Sequence, residues 1–100
     1  MNSSEQKEYE YITPTQNEIQ ETIDLINKKM ESLKMKSTGN ENVMEGYAEA
    51  LRLLNENSSS YDHISASLQS DSSRAIAVLA VDYLNGECSR KMLLEFGSRQ

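Results

Sequence analysis

His63 and Cys88 are the only imidazole and the only thiol in the chain. A histidine beside a cysteine can draw off the thiol proton and create a nucleophile. That chemistry needs the two side chains in contact and a third group to orient the base. Here they stand 25 positions apart, in different predicted elements, with no supporting set around either. The structural reading is the stronger one: His63 exposed on a helix, Cys88 a small packing or capping residue. With one cysteine, no intramolecular disulfide framework can form.

The acids Glu41, Glu45 and Glu49 recur every fourth residue, which lines three carboxylates along one side of a helix. A di-metal carboxylate site would also need Glu-x-x-His partners. A calcium loop would need alternating ligands around a central glycine. Neither pattern occurs. The expectation is a solvated acidic stripe. Gly39, Gly46, Gly86 and Gly97 lie too far apart to build a phosphate-cradling loop. No residue is assigned a catalytic, cofactor-binding or metal-binding role, and the expectation is a protein that is not an enzyme and carries no cofactor.

Charge narrows the partners. The chain has 16 acids and 10 bases, a net of −6, with a mean hydropathy of −0.67. Such a chain repels phosphate backbones. Its one basic grouping, Lys28, Lys29, Lys34 and Lys36, alternates with acids and reads as a solvated helix face. Residues 60–69 and 72–85 have roughly the lengths of a helix-turn-helix. A recognition helix must expose a polar side, and Ala75–Val81 has none. Nucleic acid is therefore not an expected partner. Nor is a membrane, since the longest apolar run, AIAVLAV at 75–81, is too short to span one. MNSSEQKEYEYI has no apolar run and does not read as a signal peptide, so the expected location is cytoplasmic.

These residues must be positioned by helices. Residues 1–13 read as a flexible N-terminal arm, in which Tyr9 and Tyr11 are candidate secondary anchors for a partner. A helix is predicted from Pro14 to about Met35. Its start is set either by Thr13–Pro14 or by a Thr15/Glu18 capping box. STGN at 37–40 breaks it. Asn40 then caps a second helix to about Asn55. Its broad face is Val43, Met44, Tyr47, Ala48, Ala50, Leu51 and Leu54, with Leu53 off it. Gly46 costs that helix about 1 kcal/mol; it either lets a neighbouring backbone come close or is simply tolerated. After NENSSS, Ser60 is expected to cap a short third helix with Tyr61, Ile64, Ser65 and Leu68 on one side. Asp71 is the expected cap of the apolar segment 72–85, where a buried strand competes with a helix buried on nearly all faces; three alanines and the run on through Leu84 favour the helix, stopped by Asn85–Gly86. A last helix is expected from Ser89 to Phe96, with Met92, Leu93 and Phe96 inward. The fold class that follows is all-α, a small bundle of four or five helices led by a long helical hairpin. It forms one domain over residues 14–97, with a disordered tail at 98–100.

The first helix carries the sharpest pattern. Ile19, Ile23, Ile26, Met30 and Leu33 are spaced four, three, four and three. This narrow seam covers little more than two heptads, too few for a sustained coiled coil. It can face the second helix, its own copy across a two-fold axis, or a helix from another protein. Leu25 and Leu53 lie off the main faces and are candidates for a secondary contact. A small acidic chain with a seam and no catalytic set reads as a protein–protein interaction module: an adaptor, chaperone or regulatory subunit, acting as a homodimer or within a heteromeric assembly. The alternative is an acidic inhibitor or nucleic-acid mimic that places Glu41, Glu45 and Glu49 in a basic site of a nucleic-acid-handling protein.

Overall fold

A computed structural model of the chain describes residues 12–35 and 39–96. They form four α-helices: α1 (Gln16–Lys34), α2 (Glu41–Asn55), α3 (Asp71–Leu84) and α4 (Arg90–Glu95). A single 3-10 turn, Tyr61–His63, lies between α2 and α3. There is no strand among the described residues, and the architecture is the expected all-helical bundle.

Local chemistry sets the ends. Thr15 caps α1: its hydroxyl accepts from the Glu18 N–H (3.1 Å), and the Glu18 carboxylate accepts from the Thr15 N–H (2.9 Å). Two of the orphan donors at the helix start are thus satisfied reciprocally. Asn40 stands at the cap of α2, and its amide donates to the Leu33 carbonyl (2.9 Å) near the end of α1. Asn57 ends α2 in the left-handed region (φ 53°), a conformation asparagine tolerates better than most residues. The Ser58 N–H then reaches back to the Leu53 carbonyl (2.9 Å). The cap of α3 is Ser70 rather than Asp71. Its hydroxyl accepts from the Ser73 N–H (3.1 Å), and Asp71 instead sits in the first turn, paired with Arg74. Gly86 follows α3 with φ +75°, the left-handed conformation that suits glycine after a helix end.

The expected third helix is replaced by the 3-10 turn and irregular chain. Side chains take the backbone groups that a helix would have used. Glu49 accepts from the Ser65 N–H (2.8 Å), Arg52 donates to the His63 carbonyl (2.6 Å), and Ser60 and Ser65 bond local N–H groups. Serine-rich chain offers such alternatives to the i→i−4 ladder.

The core runs through all four helices. Ile26, Tyr47, Leu53, Ile76, Val81 and Leu93 are fully buried in it. The most extensive packing is between α2 and α3, with α1 against α2 second. Gly46 is what lets α2 and α3 close: a Cβ there would stand 2.8 Å from Ile76 Cδ1 and 2.9 Å from Ser73 Cα. No helix of the described residues is long and apolar enough to cross a membrane.

Three faces differ from expectation. Leu53 is fully buried while Ala48 is exposed, so the inward side of α2 is rotated toward Gly46, Leu53 and α3. Val78 is 39% exposed, so α3 has an open side. Met92 is 49% exposed rather than inward.

Candidate protein interaction surface

The seam on α1 is absorbed by its own chain. Ile19, Ile23, Ile26 and Leu33 are buried, and Met30 packs partly buried against the same core. Thr22, which the apolar spacing passes over, is fully buried among them. It donates to the Glu18 carbonyl (2.9 Å) and meets the Tyr83 hydroxyl (2.8 Å). The seam therefore offers no open stripe to a partner. Of the secondary candidates, Leu25 is at the surface, 36% exposed, and Leu53 is core. Tyr9 and Tyr11 lie outside the described residues.

The open apolar surface lies instead where α3 meets α4. Two anchors fix α4. The Tyr47 hydroxyl donates to the Leu93 carbonyl (2.6 Å), and the Leu93 side chain is fully buried. The buried Cys88 thiol donates to the Leu79 carbonyl on α3 (3.5 Å). One residue is about 100° of rotation on a helix, so with Leu93 pinned inward Met92 turns out. Leu79, Lys91, Met92, Glu95 and Phe96 line a groove of about 380 Å³. Lys91 also lines a second, more open cleft of about 400 Å³, with Ile12, Pro14, Glu18, Tyr83, Cys88, Ser89 and Arg90. Arg90 on this rim pairs with Glu21 (3.0 Å), and Lys91 faces Glu95 at 4.0 Å. The two clefts share Lys91, and the bases on this rim are matched by acids, with Glu18 in the lining of the second cleft.

His63 and Cys88 are held by different partners: the His63 ring is bonded to Ser58, and Cys88, in the turn after α3, is buried against that helix. Burial, with Asp82 and Glu87 nearby, pushes the Cys88 thiol up to about 11, away from the thiolate a nucleophile requires. No group of three His, Cys, Asp or Glu side chains among the described residues is placed to hold a metal ion.

Nor do Glu41, Glu45 and Glu49 form an open stripe. Glu49 is buried, with both carboxylate oxygens on Arg52 (3.1 and 2.5 Å), and its Oε2 also accepts from the Ser65 N–H. Burial alone would raise its carboxyl, but the Arg52 and Ser65 bonds outweigh it and hold the group below its usual range. Glu45 accepts from the Gln69 N–H (3.4 Å). These two acids tie down the 60–70 segment, while Glu41 is exposed.

A scan against protein-family models and searches of curated proteins and of solved structures each found no match.

Proposed function

We propose that this chain is a small acidic helical module that works through protein–protein contacts, and that the α3–α4 groove is its contact surface. The observation that carries the reading is Met92, large, apolar and 49% exposed in a groove that it lines with Leu79 and Phe96. Val78 is the exposed large apolar residue of α3, while the rest of the large apolar set on α3 and α4 is packed. Contiguous exposed apolar surface marks contact sites more often than scattered single residues do. The partner is a protein: a second copy of this chain or another subunit.

The test uses Val78→Glu and Met92→Glu together. Both positions face solvent, so helical circular dichroism and Tm should stay close to the unsubstituted chain. Light scattering over a concentration series, with the complexes recovered by cross-linking in the source cells, reads assembly. The double substitution should abolish the assembled species. Assembly that survives it unchanged rejects this groove as the contact surface. Absence of any assembled species for the unsubstituted chain rejects the interaction reading itself.

A further inference from the structure

We propose that residues 60–67 are an acid-released strap, a segment that carboxylates hold closed across α2 and α3 and that swings off the helices as one unit, pinned at both ends, when those acids take up protons. None of these residues lines the α3–α4 groove, so the strap stands apart from that contact surface.

The segment has little else to hold it. No residue of 60–67 is buried, and Ile64 is its one apolar side chain packed partly against the core. Its joints to the helices run through side chains, and in the middle of the segment they run through acids. On α2, Glu49 accepts from the Ser65 N–H (2.8 Å), and Arg52, itself held by Glu49 and Glu56, donates to the His63 carbonyl (2.6 Å). Toward the end of α3, the Tyr61 hydroxyl donates to Asp82 and lies 3.5 Å from Glu87. The ends are tied by groups that acid leaves unchanged. The Asn85 amide donates to the Ser59 carbonyl (3.0 Å), and Arg74 donates to the carbonyl of the buried Leu68 (3.0 Å). Few buried apolar contacts and exposed hydrogen bonds are the marks of a unit that opens on its own.

Glu49 is the trigger, because one proton there loosens two joints. A neutral carboxyl is a poorer acceptor for the Ser65 N–H and no longer anchors Arg52 against His63. Burial raises this carboxyl, but the Arg52 and Ser65 bonds outweigh it and hold it below the ordinary 4.5. The closed strap therefore favours the ionised form, and its closure is lost as pH falls through the folded value. The other titratable groups nearby are Glu45, which accepts from the Gln69 N–H at the pinned end, Asp71 paired with Arg74, and Asp62 and His63 in the strap itself. His63 does not release it: the Ser58 hydroxyl can donate to its ring or accept from it, so that bond survives either protonation state.

The experiment is nitrogen-15 NMR of the full chain from about pH 7 down to about pH 3.5, reading amide protection factors and heteronuclear Overhauser effects. Ser65 and its neighbours in 60–67 should lose protection and order together below about pH 4.5, while the amides of Ile26, Leu53 and Ile76 keep theirs. Glu49→Gln should open the strap already at pH 7, with the helical circular dichroism retained, and remove most of the acid step. Tyr61→Phe, at an exposed position, leaves Glu49 untouched, frees the α3 side and should move the opening to higher pH. Strap and helix amides that lose protection at one common pH overturn the proposal, since the segment would then open only with the whole fold. A strap that stays protected at the acid end, or an acid step unchanged in both variants, overturns it as well.

Discussion

Thr22 and Tyr83 meet hydroxyl to hydroxyl at 2.8 Å inside the core, joining α1 to α3 across 61 residues of sequence. Thr22 also donates to the Glu18 carbonyl, so the proton of this contact comes from Tyr83. Removing the phenol by Tyr83→Phe leaves Thr22 satisfied and should cost about 1 kcal/mol. Thr22→Val leaves the Glu18 carbonyl, at 3.4 Å, to accept the Tyr83 proton and should cost about 1–3 kcal/mol. Urea unfolding of both variants and the double variant reads the coupling. Simple additivity would show that the two hydroxyls do not act together.

Gly46 sits where α2 and α3 touch. Alanine would gain up to about 1 kcal/mol of helix propensity. Its methyl would meet Ser73 Cα at 2.9 Å, a backbone atom that no side-chain rotation can move aside. Overpacking of about 1–3 kcal/mol should win. The Tm of Gly46→Ala is expected to fall, and a raised Tm would mean that the helices can separate there without loss.

The α1 seam and Leu53 belong to the monomer core. Leu53→Ala and Ile26→Ala should each cost about 2–5 kcal/mol, whereas Leu25→Ala, at the surface, should stay within about 0.5 kcal/mol. Chemical denaturation orders the three. Equal, small losses at all three positions would place the seam at an interface between molecules instead.

Glu49 links stability to pH. Its folded carboxyl is held below the ordinary value of 4.5, so the folded state favours the ionised form. The stability it contributes is fully present above that ordinary value and is lost as pH falls through the folded one. Unfolding free energy should therefore decline below about pH 4.5, and Glu49→Gln should flatten part of that decline. The substitution should also destabilise the protein at pH 7, since the neutral amide loses the ion pair with Arg52. An unchanged acid limb in Glu49→Gln would assign the decline to other carboxylates.

Cys88 should resist thiol reagents. With the thiol buried and pushed up to about 11, an aromatic disulfide reagent at pH 8 should label the folded chain slowly. Labelling should become fast only in denaturant. Rapid, stoichiometric labelling of the folded protein would reopen the case for a reactive cysteine.

Much of the helical layout was legible because its signals are local. A capping box needs only Thr15 and Glu18, and a seam needs only 3.6-residue periodicity within one helix. The same signals fix α1, α2 and α3 to within a residue or two of expectation. The 60–69 segment was misread because its fate depends on Glu49 and Arg52, which reach it from another element. The site was less legible still. Leu53 and Met92 were each assigned to the wrong side, because one step of sequence turns a helix by about 100°. A six-residue helix such as α4 carries too little periodicity to orient itself.

By itself the sequence determined an acidic, all-helical chain with defined breaks and one narrow apolar seam on its first helix. Those properties follow from composition and from contacts a few residues long. Only the tertiary structure decided which apolar face stays open. Tyr47 and Leu93 pin α4, Gly46 admits α3, and the seam is consumed by its own chain, which leaves Val78 and Met92 at the surface. Burial is a property of packing between distant segments, and no local pattern can state which of several apolar faces will find a partner within the chain.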